Sequence, residues 1–239
     1  MKLFAAEIRH FIQMNHSITS AWFGGSAATG RDDALSDIDL VLVASDTLKA
    51  FKEFEGFLSQ VAGIELIHVE NRRKNYDQRF YILKDTPETY YLDVCIFDSM
   101  EASNYAEYFN HQRHGTPVII KDDGLLTKAS QIESFEKVEL DKNYFRGRSE
   151  IMYRTFLKEA AREKFIDAYY FYYGLVNLWV SLMRIKQAPQ KHDFSLRYIN
   201  VDLDEDHALY LENALKISSL GEMRQKAGEL MDSIKEELV

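Results

Sequence analysis

The chain has 239 residues, 46% of them apolar and 28% charged, and a formal net charge of −9. This is the composition of a folded chain with a core of its own, in one large or two small domains; it excludes a disordered protein, and no apolar run reaches the length of a membrane span. The acidic balance argues against a long nucleic-acid partner, and the single cysteine, Cys95, excludes an internal disulfide.

In chain order, residues 2–15 are predicted to form an amphipathic helix with Leu3, Ile8, Phe11 and Ile12 on one face. Residues 18–24 and 38–44 read as strands. Ser45-Asp46-Thr47 reads as an N-cap for a helix over 47–60. Residues 64–69 and 78–84 are further strands, Thr86-Pro87-Glu88 is a turn, and 89–97 is the strongest strand pattern in the chain. A helix over 99–109 and a small strand, Pro117 to Ile120, precede the polar turn Lys121-Asp122-Asp123-Gly124, the expected domain boundary. Residues 141–186 lack proline and suit two helices or one long bent one. A break at 187–191 carries Pro189, and 205–217 and 221–238 are helical again. No internal repeat is present. The first residues, Met1 to Glu7, show no leader pattern, so a cytoplasmic location is expected.

The chemistry concentrates in two places. Gly24-Gly25-Ser26 forms a turn after the apolar run Ile18–Phe23, and ten residues separate Ser26 from Asp37. Asp37 and Asp39 then stand one residue apart at the head of Leu40-Val41-Leu42-Val43. In a strand, residues i and i+2 share a face, so the two carboxylates project side by side while Ile38 turns into the core. Carboxylates that close repel unless a cation lies between them, and their hard oxygens suit Mg²⁺ shared with substrate phosphates. The glycines let backbone N–H groups approach a phosphate, and Ser26 adds a hydroxyl donor. Asp93 lies among Leu92, Val94, Cys95, Ile96 and Phe97, where a carboxylate is costly unless it is paired or binds metal.

Gly25-x-x-x-x-Gly30 is followed by Arg31-Asp32 and lacks the lysine and hydroxyl of a Walker loop. Arg31 is still a candidate phosphate contact. No His-Glu-x-x-His or Cys/His cluster points to zinc. The aromatic run from Tyr169 to Tyr173 with Trp179 suits core packing or a pocket wall. Glu150, Glu159, Glu163 and Asp167 are candidate general bases.

Gly25-Ser26, ten residues, then Asp37-Ile38-Asp39, with Asp93 on a later strand, resembles the signature of the nucleotidyltransferase superfamily related to DNA polymerase β. The motif-bearing part covers roughly the first 100 residues. Residues 140–239 look like the helical second domain of the aminoglycoside and lincosamide nucleotidyltransferases. The resemblance implies an α+β fold: a mixed-sheet nucleotidyltransferase domain over 1–124, then a C-terminal helical bundle over 125–239. It implies that Asp37, Asp39 and Asp93 are catalytic and hold Mg²⁺, and that Gly24, Gly25, Ser26 and Arg31 bind the nucleotide. A nucleoside monophosphate, AMP from ATP first among the choices, would pass to a hydroxyl of a small molecule, an antibiotic among the candidates, with release of pyrophosphate. The acidic balance suits a cationic acceptor, and neither long nucleic acid nor membrane is expected as a partner. The alternative is an antitoxin-like or partner-binding module of the same fold without small-molecule chemistry. The helical half shows no Arg-x₄₋₆-His ribonuclease-type pattern, which weakens a fused-toxin reading.

Overall fold

The computed structural model describes residues 4–70, 76–98, 100–133 and 138–239. Residues 2, 3 and 99, where two of the expected helices begin, lie outside the described residues. The chain divides into two compact units, Met1–Phe135 and Glu136–Val239. The first is a mixed-sheet domain and the second is helical, so the class is α+β.

The first unit runs α1 (Ala5–Met14), β1 (Ser20–Phe23), α2 (Gly25–Thr29), β2 (Ile38–Val43), α3 (Thr47–Val61), β3 (Ile64–Val69), β4 (Tyr76–Leu83) and β5 (Leu92–Phe97). A 3₁₀ segment (Ala102–Phe109), α4 (His111–His114), β6 (Val118–Lys121) and α5 (Leu125–Ala129) complete it. The six strands lie in the order β3-β4-β5-β2-β1-β6. β2 and β5 pair in parallel and the other neighbours are antiparallel. A parallel pair needs a long crossover, here α3 with the β3–β4 hairpin.

Strand alternation sorts the sheet into two faces. Ala21, Phe23, Ile38, Leu40, Leu42, Leu92, Val94 and Ile96 are buried with Ile8 and Ile12 of α1 and with Phe51, Phe54 and Leu58 of α3. Asp46 caps α3 by accepting from the Lys49 N–H at 2.9 Å, so the helix starts where the cap residue predicts. On the opposite face Trp22, Val41, Val43 and Phe97 pack with Tyr105, Leu125, Leu126 and Ala129. β5 begins at Leu92, later than the apolar pattern suggests. The Tyr90 N–H donates to the Pro87 carbonyl at 2.9 Å, which prolongs the turn and delays extension.

The second unit holds α6 (Lys142–Ala161), α7 (Phe165–Gln187), a 3₁₀ turn (Pro189–Lys191), α8 (Ile199–Asp202), α9 (Glu205–Leu215) and α10 (Leu220–Glu237). Phe156, Tyr172, Leu175, Trp179 and Met183 share one core with Met223, Leu230 and Ile234. Gly174 sits where α6 crosses α7; a Cβ there would lie 2.7 Å from the Met152 methyl carbon. Of the aromatic run only Tyr172 is fully buried, while Tyr169, Tyr170 and Tyr173 are exposed. Arg184, with no exposed surface, donates to the Ser195 carbonyl at 2.8 Å and the Asp202 carboxylate at 2.9 Å. These bonds fasten the segment after α7 to the helix. No helix among the described residues is long and apolar enough to cross a membrane.

Candidate active site

The parallel ladder puts Asp39 of β2 directly opposite Asp93 of β5, with Ile38 opposite Leu92 and Leu40 opposite Val94. Alternation sends those apolar neighbours into the core beneath α1 and α3. Both carboxylates therefore turn to the other face, at the end of the strands that Trp22, Val41 and Phe97 leave uncovered. Asp37 precedes β2 and is half-buried. The Ile38 N–H donates to the Tyr91 carbonyl at 3.2 Å, so the ladder carries on to Asp37. The Tyr91 hydroxyl is hydrogen-bonded to the Asp37 carboxylate.

The charges of these groups register on each other. The bond to Asp37, burial, and the nearby charges of Asp37, Asp39 and Asp93 all raise the proton affinity of Tyr91. Burial lifts Asp93 above the usual carboxylate range and the charge of Asp37 adds to it. A hydrogen bond from Gln78 Nε2 at 2.7 Å opposes that rise. Cys95 Sγ lies 4.0 Å from the same Asp93 oxygen. Burial, then the charges of Asp93 and Asp39, push its thiol up to about 12, so it stays protonated and is no nucleophile at neutral pH.

The Gly-Gly-Ser segment is not an open turn. It starts α2, with Gly24 at the N-cap and Ser26 in the first turn. The Gly24 N–H donates to the Asp39 carbonyl at 2.9 Å. Gly25 takes φ +51°, and a Cβ on it would fall 1.7 Å from Asp39 Oδ2. Only glycine fits both the backbone and the space there. Arg31 folds back on this helix: its N–H donates to the Ser26 carbonyl at 3.0 Å and its Nε to Thr29 Oγ1 at 3.0 Å.

A cavity of about 170 Å³ lies over this arrangement, with Gly24, Gly25, Asp39, Asp93, Cys95, Trp22, Tyr108 and His114 in its wall. Asp37, Ser26 and Arg31 stand outside that lining. Asp39 also borders a larger cavity of about 360 Å³ with Arg9, Phe23, Ala27 and Asp32, in which the Arg9 guanidinium sits 4.9 Å from the centre of the Phe23 ring. Gln78, Tyr91, Tyr108 and His114 are site residues that no motif marks. The helical-unit carboxylates are locally engaged: Glu159 with Arg162 at 2.8 Å, Glu150 with Arg154 at 2.6 Å, and Asp167 with Lys164 at 3.8 Å.

Among the described residues no three His, Cys, Asp or Glu side chains form a ready-made metal cage. Mg²⁺ does not need one, since it takes one or two carboxylates and fills its octahedron with phosphate oxygens and water. Asp39 and Asp93 stand opposite each other on the ladder, and the charge of Asp37 reaches Asp93, so carboxylates of that number and kind are present. The site fits such an ion.

Residues 5–88 match the family described as Nucleotidyltransferase domain. No curated protein matches the chain. An aminoglycoside 6-adenyltransferase from Bacillus subtilis shares 12% identity over 97% of this chain and 87% of its own, with a TM-score of 0.38. A nucleotidyltransferase-like protein from Exiguobacterium sibiricum shares 12% over 99% and 72%, with a TM-score of 0.40. A spectinomycin adenyltransferase from Enterococcus faecialis, solved with ATP and spectinomycin, shares 10% over 96% and 97%, with a TM-score of 0.34.

Proposed function

We propose that this chain, whose residues 5–88 match the nucleotidyltransferase domain family, is an enzyme that moves a nucleoside monophosphate from a nucleoside triphosphate to a hydroxyl of a small molecule. The observation that carries the reading is the in-register pair Asp39 and Asp93 with Gly25 pressed against the Asp39 carboxylate. It joins a carboxylate row to backbone N–H groups suited to phosphate.

Asp37 and Asp39 would hold Mg²⁺, with Asp93 beside them. A cation held there supplies charge neutralisation for the triphosphate and for the departing pyrophosphate. Gly24 caps α2 with its own N–H on the Asp39 carbonyl, and the N–H groups of Gly25 and Ser26 at the start of that helix would face the phosphates. Arg31, fastened to the far end of the same helix, adds positive charge on that side. The acceptor oxygen attacks the α-phosphorus, its proton passes to a carboxylate, and the bond to pyrophosphate breaks. Asp93 suits the proton, because burial raises its proton affinity above that of an ordinary aspartate. ATP is the donor this reading favours. The sequence resemblance to the aminoglycoside and lincosamide enzymes is what extends it to an antibiotic acceptor, and the net charge of −9 favours a cationic one.

The test is pyrophosphate release from each nucleoside triphosphate against a panel of aminoglycoside, spectinomycin and lincosamide acceptors, with and without Mg²⁺. Release that needs metal, acceptor and Asp39 together is expected. Parent protein that turns over none of the panel, and binds no Mg-nucleotide, would overturn the reading.

A further inference from the structure

The cavity over Asp39 and Asp93 is walled by two carboxylates, yet the ligand proposed for it, the phosphate chain of a nucleotide, is itself a polyanion. Among the described side chains that line it, His114 is the one able to carry positive charge. The cavity is below the roughly 300 Å³ at which sites for whole small-molecule ligands begin, so its size matches part of a nucleotide.

The placement of His114 is fixed from two sides. His114 ends α4, and the next residue, Gly115, takes φ +78° against α2. A Cβ on Gly115 would lie 2.3 Å from the Ala28 carbonyl oxygen, and the Thr116 N–H donates to that oxygen at 2.7 Å. The imidazole is thus carried by a segment fastened to the helix that begins with Gly25 and Ser26. On its other side, Arg113 Nε donates to His114 Nε2 at 3.2 Å and to Glu107 Oε1 at 3.0 Å, and that carboxylate oxygen lies 3.5 Å from the same ring nitrogen, which leaves Nδ1 as the ring's donor toward the phosphates. The hydrogen bond with His114, helped by the Arg113 cation, holds the Glu107 carboxyl below its usual range, so the imidazole is seated against a Glu107–Arg113 ion pair. The Tyr108 ring, 5.8 Å from the imidazole centroid, flanks it within the cavity wall.

We propose that His114 is a phosphate-binding residue, positioned by Glu107 and by the Gly115–Ala28 contact, which donates a hydrogen bond to the phosphate chain over Asp39 and Asp93. The proposal rests on the nucleotidyl-transfer reading above. Glu107 acts through His114 and is a positioning residue.

The test is equilibrium binding of inorganic tripolyphosphate, ATP and adenosine, each with Mg²⁺, to the full chain and to His114→Ala, His114→Gln and Glu107→Gln. Thermal midpoints are measured alongside. His114→Ala is expected to weaken tripolyphosphate and ATP by about 10-fold, the worth of one charge-assisted hydrogen bond, and to leave adenosine unchanged. His114→Gln, which keeps an N–H donor, should recover part of that loss, and Glu107→Gln should show a smaller loss of the same selectivity. In turnover, the KM for the nucleotide should rise by the same factor with kcat nearly kept. Equal tripolyphosphate affinity in the parent and both folded His114 variants overturns the proposal while the transfer reading stands. Equal losses for adenosine and tripolyphosphate overturn it too, since they mark a structural role. A parent that binds neither tripolyphosphate nor ATP overturns both readings.

Discussion

Asp39 is met from three directions. The Gly24 N–H is on its carbonyl, Gly25 is against its carboxylate, and Asp93 stands across the ladder. Replacing Asp39 with Asn keeps the shape and removes the charge. The fold should persist and the proposed nucleotidyl transfer should fall about 100-fold or more, roughly 3 kcal/mol of barrier, in a steady-state pyrophosphate assay. Gly25→Ala tests the space in place of the charge. Its methyl needs room that Asp39 Oδ2 occupies, and the backbone is left-handed there. A comparable loss of turnover is expected, with a stability loss of about 1–3 kcal/mol by urea titration. The placement of Asp37 and Asp39 beside the glycines is legible in the sequence because it is local, set by spacing and alternation. That of Gln78, Tyr91 and His114 is not. Gln78 reaches the site through the register of β4 on β5, Tyr91 through the pairing of β5 with β2, and His114 through the docking of the α4–β6 segment on α2, which are tertiary choices that no local pattern encodes.

Among elements, the long helices were readable from period and caps, as Asp46 shows for α3 and Pro189 for the end of α7. The short helices α4, α5 and α8 span one turn or little more, too few positions to display a period. The aromatic run on α7 misleads for a related reason: five rings in sequence cover the helix all round, and one inward position, Tyr172, takes the buried place. Two elements carry predictions. At the start of α10, Glu222 is hydrogen-bonded by Lys226 and by the Ser218 hydroxyl and N–H, which together lower its pKa from 4.5 to about 2. Its stabilising contribution is therefore complete above 4.5 and fades as pH falls through about 2. The acid limb of a stability–pH curve should be shallower in Glu222→Gln. After α7, Arg184 is wholly buried and paired with Asp202. Arg184→Met leaves Asp202 with Lys191 alone and strands the Ser195 carbonyl, so a loss of about 3 kcal/mol is expected by chemical denaturation.

At the scale of the whole molecule, each unit has an apolar core made from its own residues. A fragment of residues 138–239 should therefore be helical and melt cooperatively by circular dichroism. A non-cooperative, featureless melt would show that its core depends on the rest of the chain. The sheet domain has a different dependence. Its carboxylate row spans the parallel β2–β5 pair, whose partners are separated in the chain by α3 and a complete hairpin. Contacts of such long range form slowly, because the intervening loop must close before any pairing rewards it. During synthesis, Asp37 and Asp39 leave the ribosome well before Asp93, so the nascent domain holds two of its three acids without the third. On the proposed reading, competence for chemistry would be acquired late and all at once, when β5 docks beside β2. In refolding, recovery of turnover should lag the return of helical signal.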